Sequence, residues 1–128
     1  MKIIGEFQEA EKIYLRVLKG YSEIFSTHHI STVRVMQNIA LLYREMKHFE
    51  KSILIFEDVI KIRKEIAPED QGEMAVCKMG LSGCLREIQK FKESEKEIDE
   101  TLEIFLKIYG ENNVLTGRYK KILHNLLN

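Results

Sequence analysis

Apolar residues recur at three- and four-residue steps along nearly the whole chain, the spacing that lines one face of an α-helix. Phe49, Ile53, Phe56, Val59, Ile60 and Ile66 form one such series. Val35, Met36, Ile39, Ala40, Leu42 and Tyr43 form another just before it. A tight connection at Lys47 and His48 separates the two. A longer connection over residues 67–72 carries Pro68 and Gly72, which stop one helix before the next begins. Asp70 or Gln71, and Asn112 or Asn113 further on, stand where a helix N-cap belongs. The pattern predicts helices in pairs, each pair joined by a short turn.

The pairs repeat. Phe7, Phe49 and Phe91 head three similar segments, each 42 residues from the last. The same step aligns Ala10, Ser52 and Ser94, all small, and Tyr14, Phe56 and Ile98, all bulky. Leu18, Ile60 and Leu102 align next, then Ile24, Ile66 and Ile108. Small residues let two helices of a hairpin approach closely, so Ala10, Ser52 and Ser94 on second helices face Ala40 and Ser82 on first helices. A hairpin of this kind has an apolar side that only its neighbours can cover.

These columns resemble the tetratricopeptide repeat. A period of 42 residues is similar to the kinesin light chain subtype rather than the common form of about 34. Residues 38–44, from Asn38 through Tyr43 to Arg44, then Phe49 to Ser52, then Ile62 to Glu65, look much like that subtype's signature. The loop from Ile108 through Gly110 to Asn113 resembles its inter-repeat element. The resemblance implies an all-α, right-handed superhelical solenoid of antiparallel helical hairpins. Its register divides the chain into a partial repeat over 1–29, mainly a second helix, full repeats over 30–71 and 72–113, and a terminal capping helix over 114–128. Met1 to Ile4 fall at the last turn of a preceding first helix. The final helix carries Lys120, Lys121, His124 and Asn125, and a polar terminal helix is how a solenoid ends against water. Ile13, Tyr14, Val17 and Leu18 are expected to leave an apolar face bare at the other end. That expectation favours a fragment of a longer array, or self-association, or continuation of the array through the N-terminal helix.

Composition narrows the function. Twenty basic and twenty acidic side chains cancel, so no overall field draws the chain to nucleic acid or to anionic lipid. No apolar run approaches the roughly 20 residues of a membrane helix, so no membrane is expected as a partner. Cys77 and Cys84 lie seven apart, about 10 Å along a helix, too far for a disulfide within it. Both read as small core residues in a reducing, cytoplasmic setting.

Catalytic and metal chemistry find little footing. His28 and His29 are adjacent, and neighbouring residues do not aim two rings at one ion as helical residues four apart do. His29 reads as a capping or solvent-facing loop residue. Gly80 and Gly83 lie mid-helix and read as close packing, not as a phosphate loop. Glu93 and Glu97, beside Lys96 and Lys90, read as ion pairs along one solvated helix face. No enzymatic activity, cofactor or metal is expected.

Binding has more support. In arrays of the resembled family, first helices line the concave surface. Carrying those positions over selects Arg34, Gln37, Asn38, Leu41 and Arg44, then Val76, Met79, Gly80, Gly83 and Arg86, then Arg118, Lys121 and Asn125. Five of these are basic, which implies a locally positive groove suited to an acidic, extended protein segment or peptide. Asn38 keeps one of the asparagines that hold a peptide backbone in the adaptor family, but Gly80 and Ile122 replace its counterparts. Gln37 and Leu41 stand at two places of the carboxylate clamp found in chaperone-binding relatives. The reading is a protein–protein interaction scaffold or adaptor module. Two alternatives are a peptide-sensing regulatory domain of a bacterial signalling protein and a structural segment of a larger assembly.

Overall fold

The structure, a computed structural model, describes residues 4–110, 112–114, 116–118, 120 and 121. Two compact units meet at the boundary between Pro68 and Glu69 in sequence, and each is built from its own helices.

The first unit holds α1 (Ile4–Phe25), α2 (Ile30–Glu45) and α3 (Phe49–Ile66), with α2 packed against both neighbours. Val35, Ile39 and Tyr43 of α2 form a buried cluster that takes Tyr14 and Leu18 from α1 and Ile55 from α3. Tyr14 and Leu18 are thus not bare, contrary to the expectation above. Ile13 and Val17 are exposed, as expected, and Tyr21 and Ile24 join them. Ile4 belongs to α1 itself rather than to the last turn of an earlier helix. Met1 to Ile3 lie outside the described residues.

The second unit holds α4 (Gln71–Glu87) and α5 (Phe91–Tyr109), and helix resumes at Val114 and recurs at 116–118 and 120–121. Ala75 on α4 packs with Ile98, Leu102 and Phe105 on α5, and Met79 and Ile104 close the edges. His124 and Asn125 fall outside the described residues.

Local chemistry sets the helix ends. The His29 ring caps α2, its Nδ1 accepting from the Ser31 amide at 3.1 Å while the Phe25 ring stacks on it. The Asp70 carboxylate caps α4 by accepting from the Glu73 amide at 3.2 Å. At the C-terminus of α2, Lys47 takes a left-handed φ of 64° and the His48 amide donates back to the Tyr43 carbonyl at 2.8 Å. At the end of α4, Gln89 has φ 65° and the Lys90 amide donates to the Leu85 carbonyl at the same 2.8 Å. The reversal is a six-residue cap in which one left-handed residue turns the chain back on itself. After α5 the turn differs: Gly110, with φ 79°, ends the helix.

The columns of small residues carry more than space. Ser52 Oγ donates to the Ala40 carbonyl at 2.7 Å, and Ser94 Oγ donates to the Ser82 carbonyl at 2.9 Å. Each bond ties a second helix to the first helix of its own hairpin. Cys77 and Cys84 are both fully buried on α4, and neither is in a disulfide.

Candidate binding surface

On α2, Arg34, Asn38 and Leu41 are exposed, and their four- and three-residue spacing puts them on one helix face. Arg44 is half-buried beside them. Gln37 is different. It is buried, and its side-chain oxygen accepts from Arg63 Nη2 of α3 at 3.0 Å, so it serves the α2–α3 contact. Arg63 is itself almost wholly buried, an unusual place for a guanidinium.

On α4, Val76 is exposed and Arg86 half-buried, while Met79 packs against the core of its own hairpin. Gly80 and Gly83 are buried, which accords with the close-packing reading. Arg118 and Lys121 are exposed on the helix that opens at Val114, and Asn125 lies outside the described residues.

One charged cluster escapes the sequence pattern. Lys78 of α4 is buried, and its ammonium donates to Glu97 at 3.3 Å and to Glu100, both on α5. Glu97 therefore pairs across the hairpin instead of along its own helix, as its spacing from lysines had implied. Burial pushes the Lys78 ammonium down, but the hydrogen bonds and charges of Glu100 and Glu97 outweigh it, and the group ends above its ordinary value. Only the folded chain reveals this site, because a lysine on a first helix carries no mark in the sequence of what faces it. His28 makes an exposed contact with Glu65 at 3.3 Å in the first unit. Among the described residues, no group of three or more His, Cys, Asp or Glu side chains is placed to hold a metal ion. No described helix is long and apolar enough to cross a membrane.

Hairpins locked by the same hydroxyl bond and closed by the same turn define a helical-repeat interaction module. Comparison with known proteins gives the kind. Residues 3–65 match the tetratricopeptide repeat family. A crystal structure of nearly identical TPR-like repeats from Podosopora anserina superposes with a TM-score of 0.85 at 14% identity. That match covers 95% of this chain and 58% of the other. BtubC (BKLC) from P. vanneervenii superposes with a TM-score of 0.79 at 23% identity, covering 95% of this chain and 48% of that one. The chain has the fold of these TPR-like repeats. Among curated proteins, the clustered mitochondria protein homologs of Candida albicans and Meyerozyma guilliermondii are 17% and 23% identical. They match over 94% and 95% of this chain, which spans only 9% and 10% of their length.

Proposed function

We propose that this interaction module binds extended, acidic segments of a partner protein on the exposed face of each first helix, α2 and α4 each taken by itself. The observation that carries the reading is the open face of α2, where Arg34, Asn38 and Leu41 offer a cation, an amide and an apolar contact in sequence. Arg44 stands beside them, and Val76 and Arg86 repeat the apolar and basic elements on α4. A guanidinium grips a carboxylate through two parallel hydrogen bonds, and an asparagine amide matches the peptide backbone. Gln37 and Met79 support the hairpins behind this surface. The two buried cysteines, neither in a disulfide, favour a reducing, cytoplasmic setting for the work.

The test uses a fluorescent, aspartate- and glutamate-rich extended peptide and its lysine-rich counterpart, followed by anisotropy. The acidic peptide should bind selectively. The substitutions Arg44→Glu and Arg86→Glu should each weaken it roughly tenfold, in line with losing a charge-assisted contact. Unchanged affinity in both variants, with helicity intact, would remove the proposal.

A further inference from the structure

Two adjacent histidines fasten the connection between α1 and α2, and their ring nitrogens meet neighbours of different kinds. Nδ1 of His29 accepts from the Ser31 amide at 3.1 Å, which makes this ring the side-chain cap of α2. Nδ1 of His28 meets the Thr27 hydroxyl at 3.1 Å, and its Nε2 lies 3.3 Å from a Glu65 carboxylate oxygen on α3. A hydroxyl can donate or accept, whereas a backbone amide only donates. His28 therefore takes up a proton and keeps both partners, its Nδ1 turning from acceptor to donor toward Thr27. His29 cannot. Once its Nδ1 carries a proton, it faces the Ser31 amide donor to donor, and a flipped ring offers that amide only a carbon.

We propose that this connection is a proton-operated latch: protonation of His29 frees the first turn of α2, while His28 keeps the connection on Glu65 of α3. Position adds to the lost bond, because an imidazolium at a helix N-terminus meets the positive end of the dipole. The Phe25 ring stacks on His29 at 4.5 Å between centroids, and Tyr21 lies against Phe25 at 5.8 Å. That stack favours the cation and keeps it in place, but it supplies no acceptor for the amide. Other charges at the junction do not restore the cap. Glu65 is engaged by His28, Lys61 stands one turn before it on α3, and the exposed Arg34 of α2 adds positive charge. On α1, Glu23 lies two residues before Phe25 and so on another side of that helix.

The turn held by the latch is a buried one. Thr32 and Val33 are fully buried, and the Val33 amide donates to the His29 carbonyl at 3.0 Å. Tyr14 and Leu18 pack further along, in the cluster of Val35, Ile39 and Tyr43, so release loosens one end of α2 without detaching α1. The cap of α4 provides the contrast. It is the Asp70 carboxylate, and carboxylates keep their charge over the pH range in which imidazoles gain one. Arg34 follows directly on the released turn, so the open face of α2 alters with pH at that end. This last consequence rests on the proposed function; the latch itself does not.

Amide exchange of the whole chain, followed by NMR and expressed relative to the intrinsic rate at each pH, tests the latch without a ligand. Protection of the Ser31 and Val33 amides should fall about fivefold between about pH 7.5 and about 5.5, the worth of a typical N-cap. The Glu73 amide, capped by Asp70, should keep its protection over the same interval. His29→Asn retains a side-chain acceptor that does not titrate, and should hold Ser31 and Val33 protected throughout. His29→Asp serves the same purpose should His29→Asn lose its helical circular dichroism. His28→Asn should leave the fall in place. A wild-type chain whose Ser31 and Val33 protection does not change with pH overturns the inference. So does an equal fall at Glu73, a fall that persists in His29→Asn, or one that vanishes in His28→Asn.

Discussion

Ser52 Oγ donates to the Ala40 carbonyl across the α2–α3 hairpin at 2.7 Å, with both residues fully buried. The α4–α5 hairpin repeats the bond between Ser94 and Ser82. The carbonyl already belongs to a helix, so the hydroxyl uses its second lone pair and secures a close approach of two backbones. Ser52→Ala keeps the space and loses the bond, and should cost about 1 kcal/mol. Ser52→Val restores bulk without the hydroxyl and forces the helices apart, at roughly 1–3 kcal/mol. Urea unfolding of the two variants tests the order. Equal stabilities of the two variants would mean that the added bulk costs nothing here and the lost hydroxyl bond accounts for the whole effect.

The turn after α2 stores strain that can be removed. Lys47 occupies the left-handed region, as does Gln89 one hairpin later, and a residue with a Cβ pays for that conformation. Lys47→Gly and Gln89→Gly relieve the clash but add freedom to the unfolded chain. The balance favours glycine by up to about 1 kcal/mol at each site. Thermal unfolding should rise in both variants, while Gly110→Ala, at φ 79°, should lower it.

Much of this architecture is legible in the sequence because helical packing is periodic. The three- and four-residue steps locate the helices, and the recurrence of Phe7, Phe49 and Phe91 gives the unit. The burial of Cys77 and Cys84 without a disulfide and the capping by Asp70 also follow from spacing and residue type. Polar residues are less readable. Gln37 reads as groove-facing and Glu97 as solvated, yet both spend their side chains between helices of one hairpin. Periodicity tells which direction a residue points, not whether a complementary partner waits there. A long polar side chain can be buried cheaply only when that partner exists. The exposed residues of α1 needed the same information. Tyr14 and Val17 look equally apolar in sequence, and only packing against Val35 and Tyr43 separates Tyr14 as covered.

Lys78 makes stability depend on alkaline pH. Its ammonium is held above the ordinary lysine value of 10.5 by Glu100 and Glu97, against the pull of burial. A folded-state value above the unfolded one means the stabilisation is complete below the unfolded value and lost as pH climbs through the folded value. Lys78→Met keeps most of the apolar stem but leaves two carboxylates without their cation. Near neutral pH it should cost about 1–2 kcal/mol, at the lower end of charged hydrogen bonds because Glu100 is partly solvated. The gap between wild type and variant should hold from neutrality to mildly alkaline solution and narrow above 10.5. Stability curves for the two proteins across that range check it, and a gap that widens with pH would contradict the sign.

Tyr43 ties α1 to α2 through a different proton. Burial first, then the hydrogen bond and charge of Glu11, push its hydroxyl from 10.0 up to about 12. The neutral phenol donates to the Glu11 carboxylate, and a phenolate there would lose the bond and face a like charge. Tyrosinate absorbance should therefore contain a component with its midpoint near 12, and Tyr43→Phe should abolish that component. Glu11→Ala removes the acceptor and its charge but leaves the burial, so the midpoint should fall while staying above 10.0. The linkage has the same sign as at Lys78: the raised value stabilises the α1–α2 contact below 10.0, and that share disappears as pH passes about 12. If Glu11→Ala leaves the midpoint where it was, the carboxylate does not reach the hydroxyl, and α1 is held to α2 by Tyr14 and Leu18 without it.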